Sequence, residues 1–347
     1  MSRKDRSGFD KALREYCEAE KISGTLRITV KDEIQYLSHF GYANDEKKTE
    51  FSENSAFSFY SMSKPLCAIG LLKLKDKGLV DLDTHPKKYV PEAEGLNERV
   101  TIRHLLHHVS GVPDFEKTED FGSQNRPGTR ERIREHLKLL TKYPSLFEPN
   151  TQAMYANVNF VIPALIIENI TGTVYADYMK NEVFAPLGMK TAVVDAPGVF
   201  VENRVQGYAL RKGERVAIDK AYDWLLGAAD IVGTVDDAYC LNKAYKNKLL
   251  LSEKTWEEVI VPSPFNQMGL GNTVFLWHGK LRINHNGGHL GFRTEHIQLP
   301  EDDFDIVFLS NSGYGGARAY ISELAYREFY GDDGTLESTV ERDKGYI

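Results

Sequence analysis

The chain has 347 residues, 41% of them apolar and 27% charged, with a formal net charge of −7. That balance belongs to a globular protein and excludes extensive disorder, and mild acidity without a Lys/Arg-rich run argues against nucleic acid or an anionic membrane as partner. The length is too great for one simple core, so two lobes or one domain with a large insertion are expected.

Phe9, Leu13, Tyr16 and Cys17 fall on one helical face. The period then changes to two. Leu26, Ile28 and Val30 alternate with polar residues, and beyond a turn at Lys31-Asp32-Glu33 the alternation resumes through Ile34, Tyr36 and Phe40, which predicts a helix followed by a β-hairpin. A helix is expected from Pro65 to Gly78, with Leu66, Ile69 and Leu72 inward and Gly78 as its stop. Residues 80–195 show helical periods and little β alternation, most clearly at Thr101–His108 and Asn157–Ile170. Polar residues with Gly122, Pro127 and Gly128 make Glu116–Arg130 an expected exposed loop, a wall or lid for any cleft beside it.

The last third turns β-rich, with strands expected at Thr273–Trp277, Leu281–His285, Phe292–Leu299 and Asp305–Ser310. A final amphipathic helix follows around Tyr320–Ala325, then a polar tail. The order implies one α/β lobe assembled from residues 1–80 and 196–330, split by an all-helical insertion over 81–195, with 331–347 as tail. The cysteines Cys17, Cys67 and Cys240 have no disulfide or metal-ligand spacing. Without an apolar leader at the start or a run near the roughly 18 residues that span a bilayer, the sequence is expected to be cytoplasmic, with no membrane partner.

Three constellations carry chemistry. In Ser61-Met62-Ser63-Lys64, serine and lysine share one helical face, so the amine reaches the hydroxyl. A helix N-terminus supplies free N–H groups for an oxyanion and, with burial, lowers a lysine's pKa. No other Ser-x-x-Lys occurs in the chain. Tyr-x-Asn occurs three times, at Tyr42, Tyr155 and Tyr245. The first reads as a turn and the third as a solvated helix face, whereas Tyr155 and Asn157 stand at an irregular junction opening an apolar helix and are selected. His285 and His289 both fit His-x-Gly; His285 ends a strand with Gly287 and Gly288 directly after it, which suits an edge that a substrate backbone approaches.

Taken in order, Ser-x-x-Lys, Tyr-x-Asn and His-x-Gly resemble the serine β-lactamase and penicillin-binding protein superfamily, in the branch of class C β-lactamases, DD-peptidases and related esterases. The likeness extends to residues 57–64, 81–83, 101–111, 186–189 and 233–237 and to Gly291-Phe292. It implies an α/β (α+β) fold of β-lactamase/transpeptidase type, with an antiparallel sheet flanked by helices, and a cleft between the sheet layer and the helical insertion. By the same resemblance Ser61 forms an acyl-enzyme, Lys64 and Tyr155 share general-base work, Asn157 positions Lys64 and substrate, and the N–H groups of Ser61 and Gly288 form the oxyanion hole. No cofactor or metal is implied, and the partner is a small-molecule or short-peptide substrate: ester, amide or β-lactam-like, with DD-carboxypeptidase or D-amino-acid peptidase as alternatives. A non-catalytic receptor that binds peptidoglycan-like ligands is the reading from another class.

This chain departs from the pattern at several positions. His285 stands where many relatives have lysine, which weakens attraction for a substrate carboxylate; Arg293 is the candidate to restore that charge. Asn150 stands where a Pro-Gly-Thr turn is usual, and Ala229-Asp230 where paired glycines are common. His104, His107 and His108 have helical metal-ligand spacing but lack an acidic or cysteine partner, so they are read as structural.

Overall fold

A computed structural model describes residues 5–115, 130–218, 225–313 and 316–331. Helix α1 (Ser7–Ala19) buries Phe9, Leu13 and Cys17 along one face. The hairpin follows as β1 (Gly24–Val30) and β2 (Glu33–Phe40), with Lys31 and Asp32 at φ 51° and 62° in the connection, the left-handed pair that a two-residue hairpin requires. Short β3 (Tyr42–Asn44) pairs with β4 (Thr49–Glu50), so the first Tyr-x-Asn lies in a strand rather than a turn.

Three small strands tie distant segments together in the order β5 (Phe57–Ser58), β9 (Ile231–Gly233), β6 (Val193–Val194), and β7 (Tyr208–Arg211) forms a hairpin with β8 (Glu214–Ala217). The C-terminal strands are β10 (Thr273–Trp277), β11 (Lys280–His289), β12 (Phe292–Leu299) and β13 (Phe304–Ser310). They join the hairpin in one antiparallel sheet of order β10-β11-β12-β13-β1-β2. Leu26 and Ile28 of β1 face α1 and the closing helix α10 (Gly316–Tyr330), which buries Ile321 and Ala325 in the same cluster.

Helix α2 (Lys64–Asp76) follows a 3-10 turn over Tyr60–Ser63, and Pro65 sits in its first turn, where an N–H has no intrahelical partner. Gly78 stops it at φ 72°. Next come α3 (Ile102–Leu106), α4 (Arg130–Leu140), α5 (Val158–Thr171), α6 (Tyr175–Tyr178) and α7 (Ala185–Leu187). The expected helix over 101–108 is shorter because His108 takes φ 57° and turns the chain back. Apolar on every side, α5 is buried almost throughout and packs on α2, the position such a helix requires. Helices α8 (Val235–Lys246) and α9 (Glu253–Val259) complete the elements, α8 lying on β12 and β13. Among the described residues no single helix is long and apolar enough to cross a membrane.

Two further expectations need correction. Strand β11 does not end at His285 but continues through Gly287 and Gly288 to His289, opposite Thr294, Arg293 and Phe292, and the hairpin turn is Leu290-Gly291. Paired backbone on β12 holds the glycines extended despite their conformational freedom. Tyr245, read as solvated, is buried against Trp256 and His296, with ring centroids 5.1 and 6.0 Å away. Residues 116–129 of the expected loop and the tail from 332 lie outside the described residues.

Candidate active site

The turn that carries Ser61 is clamped from two strands. Phe59 N–H donates to the Ile231 carbonyl of β9 at 2.8 Å, Ile231 N–H donates to Ser63 Oγ at 3.0 Å, and Thr294 Oγ1 of β12 donates to the Phe59 carbonyl at 2.8 Å. Tyr60, immediately before Ser61, is held at φ 49°, a left-handed conformation that a bulky residue keeps only when its surroundings over-determine it. Lys64 is fully buried. Its Nζ donates to Ser61 Oγ at 3.0 Å, Asn157 Oδ1 at 2.9 Å and the Ala228 carbonyl at 2.9 Å. An ammonium has three N–H donors, and three such acceptors offset the cost of burying its charge.

Tyr155 and Asn157 reach this lysine from the segment that enters α5. The Tyr155 ring centroid lies 4.7 Å from Lys64 Nζ. Although 46% of the Tyr155 surface is exposed, desolvation by the surrounding walls raises its phenol above the ordinary value, and the nearby Ser61 hydroxyl acts in the opposite direction. The segment is fixed from the loop that follows α3. Asp114 accepts from Asn157 N–H at 2.8 Å, Val158 N–H at 3.1 Å and Phe115 N–H at 3.0 Å, the placement a helix N-terminus favours for a carboxylate. His108 Nδ1 accepts from Ala156 N–H at 3.2 Å, which leaves the ring proton on Nε2, and the ring stacks on Tyr155 at 4.3 Å. Burial, followed by the charge of Lys64, holds His108 well below the usual histidine range.

Strand β11 forms the opposite wall. His285 Nδ1 lies 2.7 Å from the Asn286 carbonyl; since a carbonyl only accepts, Nδ1 carries the proton and Nε2 the lone pair. That Nε2 is buried without a hydrogen-bond partner among the described residues. The imidazole is pushed down to about 3, by burial first and the Lys64 charge second, so His285 is neutral at pH 7. Gly288 is exposed at the cleft, whereas Gly287 is buried. Arg293 donates to the Phe292 carbonyl at 2.7 Å and Arg318 of α10 donates to the Gly287 carbonyl at 2.9 Å. Among the described residues neither arginine has a carboxylate partner.

The structure therefore brings Ser61, Lys64, Tyr155 and Asn157 into contact, sets His285 6.4 Å from the Tyr155 ring, and puts Gly287, Gly288 and Arg293 along the adjoining strand. Sequence reasoning missed Asp114, Ala228 and Arg318. Two act through backbone groups, which no motif marks, and Arg318 is brought close only by packing of α10. The histidine triplet diverges: His104 caps α3, His107 Nδ1 lies 2.8 Å from the Met268 carbonyl and His108 serves Ala156. No group of three potential metal ligands occurs among the described residues.

A family model described as Beta-lactamase matches residues 9–328. Penicillin-binding protein 4* of Bacillus subtilis (strain 168) is 27% identical over 320 residues, which cover 85% of this chain and 69% of that protein. Protein flp of Staphylococcus aureus (strain N315) is 24% identical over 316 residues, and the chain spans only 62% of its length. The octameric penicillin-binding protein homologue from Pyrococcus abyssi superposes with a TM-score of 0.82 at 22% identity, over 98% of this chain and 79% of that one. D-amino acid amidase from Ochrobactrum anthropi SV3, complexed with L-phenylalanine amide, gives 0.78 at 22% identity, over 93% and 99%. At these identities the structural likenesses establish the β-lactamase/transpeptidase-like fold.

Proposed function

The chain belongs to the beta-lactamase family, and from that premise we propose that it is a serine hydrolase that cleaves small esters or amides through an acyl-enzyme on Ser61. The observation that carries the reading is that Ser61 Oγ accepts from Lys64 Nζ at 3.0 Å while the Tyr155 ring lies 4.7 Å from the same Nζ. Acylation forms a bond from Ser61 Oγ to the substrate carbonyl carbon and breaks the bond to the leaving group. The serine proton passes to the Lys64–Tyr155 pair and from there to the departing alcohol or amine. Water then attacks the ester, the pair takes its proton, and Ser61 regains its own. N–H groups of Ser61 and Gly288 hold the developing oxyanion, and Asn157 keeps Lys64 aligned.

His285 contributes an acceptor and no charge, so an anionic end of the substrate is received beyond Gly288 by Arg293 and Arg318. A second reading, an amide or peptide of a D-amino acid, is supported by the D-amino acid amidase among the structural neighbours. The unpartnered Nε2 of His285 suits an amino or amide N–H of such a substrate.

Intact-mass spectrometry tests these readings with p-nitrophenyl acetate, a chromogenic cephalosporin, a D-Ala-D-Ala peptide and D-phenylalanine amide. An adduct on the wild type, absent from Ser61→Ala and followed by repeated product release, supports the enzyme. An adduct that forms once and persists supports the receptor instead. Labelling of Ser61→Ala at the wild-type rate would falsify the nucleophile.

A further inference from the structure

Between Leu225 and β9 the chain makes a tight turn whose contacts reach the buried lysine from behind. Gly227 at its start has φ 74°, and a Cβ there would stand 2.8 Å from both the Ala164 side chain and the Phe160 carbonyl and 2.9 Å from Cys67 Sγ. The turn is thus wedged against α5 and α2. Gly227 N–H donates to Asp230 Oδ2 at 2.8 Å, while the carbonyl of Ala228, inside the same turn, is the third acceptor of Lys64 Nζ. The other carboxylate oxygen, Asp230 Oδ1, is buried without a hydrogen-bond partner among the described residues.

We infer that Asp230 is a positioning residue for the proposed serine chemistry: its carboxylate locks the 227–230 turn so that the Ala228 carbonyl meets the Lys64 ammonium, and it supplies the buried negative charge behind that ammonium. The inference rests on the proposed roles of Ser61 and Lys64. Three titratable groups around the carboxylate sense it, Lys64 and Cys67 from α2 and Tyr175 from α6. Of these only Lys64 is cationic. Burial pushes the Asp230 carboxyl up to about 7; the N–H groups of Gly227 and of Asp230 itself draw it back, and the Lys64 charge adds to them. By the same coupling an ionised Asp230 favours the protonated lysine. The coupling makes the proton held between Lys64 and Tyr155 answerable to a carboxylate that the substrate never touches.

The test compares Asp230→Asn, Asp230→Ala and Asp230→Glu with the wild type and Ser61→Ala, using acylation by p-nitrophenyl acetate from pH 5 to 9 and the melting temperature of each. Asparagine keeps an acceptor for Gly227 N–H and removes only charge. KM should stay constant while the acid limb of kcat/KM above about pH 7, where the Asp230 carboxylate is ionised, moves to lower pH by about one unit, the size of shift a near charge produces. Alanine frees the turn as well, so kcat should fall about tenfold or more at every pH, as expected for a displaced base. Glutamate restores the charge and should return the limb toward its wild-type position. If Asp230→Asn does not fold, Asp230→Ala and Asp230→Glu still separate the effect of charge from that of turn geometry. Profiles that superimpose on the wild type, or a limb that moves to higher pH, overturn the inference. Ser61→Ala keeps the two readings apart: if it still acylates, the proposed function has failed, and if it is inert while the Asp230 variants behave as wild type, only Asp230's role has.

Discussion

Gly287 lies so close to Phe59 that a Cβ on it would stand 2.0 Å from the Phe59 carbonyl oxygen, and 2.4 Å from Thr294 Oγ1. The contact sets the distance between the strand that carries His285 and Gly288 and the turn that carries Ser61. Both obstacles are hard, one being backbone and the other a β-branched side chain that hydrogen-bonds the same carbonyl. Gly287→Ala should therefore push β11 away from Ser61, costing about 1–3 kcal/mol in overpacking and at least about 100-fold in kcat/KM. Acylation rate and denaturant unfolding measure the two effects. Wild-type kinetics in this variant would show that the strand's approach does not set the oxyanion geometry.

Lys64→Met separates catalysis from folding at the same site. Methionine fills most of the space but leaves the Asn157 Oδ1 and Ala228 carbonyl acceptors without their donor, so stability should fall by about 1–3 kcal/mol. Turnover should fall by about 1,000-fold or more, as when one member of a catalytic unit is lost. Chemical denaturation beside steady-state kinetics gives both numbers, and a variant that unfolds without losing specific activity would mark Lys64 as structural.

Asp114 touches no reacting atom, yet it accepts three backbone N–H groups where the chain enters α5. Asp114→Ala leaves them buried and unsatisfied, which should cost about 2 kcal/mol or more. Because Tyr155 and Asn157 ride on that entry, kcat should fall further than the loss of folded protein accounts for. Active-site titration with a covalent acyl label, set against the melting temperature, checks whether the surviving folded fraction is slow.

Arg293 and Arg318 should matter only for substrates with an anionic end. Arg318→Ala is expected to raise KM for a carboxylate-bearing acyl substrate about tenfold, the worth of one charge-assisted hydrogen bond. It should leave p-nitrophenyl acetate nearly unaffected. Equal losses on both would count against an anion-binding role.

Acid should destabilise the protein before its surface carboxylates titrate. Burial pushes His285 down to about 3 and holds His108 and His296 well below the usual range. In the unfolded chain each takes up a proton near pH 6.5. Depressed folded values give stability that is complete above about pH 6.5 and lost as the pH falls. Asp230 and Asp305, each pushed up to about 7 by burial, work with the opposite sign: they bind protons in the fold that the unfolded chain releases above about pH 4. Burial also holds His39, His85, His104 and His107 below the usual range, so the histidines outnumber the two aspartates and the unfolded state binds more protons as the pH falls below about 6.5. The melting temperature should fall from pH 7 to pH 5, and the His285 ring should stay neutral by NMR across that range. A melting temperature that climbs on acidification contradicts the assignment.

The sequence alone determined the elements whose periodicity is local. Phe9, Leu13 and Cys17 on one helical face, Leu26 and Ile28 at period two, and the Ser61–Lys64 spacing all express geometry within one element, where neighbours in sequence are neighbours in space. Tertiary structure decided what depends on distant partners. Gly287 and Gly288 read as a turn, and β12 made them strand. Tyr245 read as solvated, and Trp256 and His296 buried it. The acceptors of Lys64 come from positions 61, 157 and 228, the last a backbone carbonyl of a residue type that carries no chemical signal. The neutrality of His285 likewise comes from burial and from a lysine 221 positions earlier. Residue types and spacing reveal which groups can do chemistry, but protonation state and alignment are set by desolvation and by contacts between segments that only the folded chain brings together.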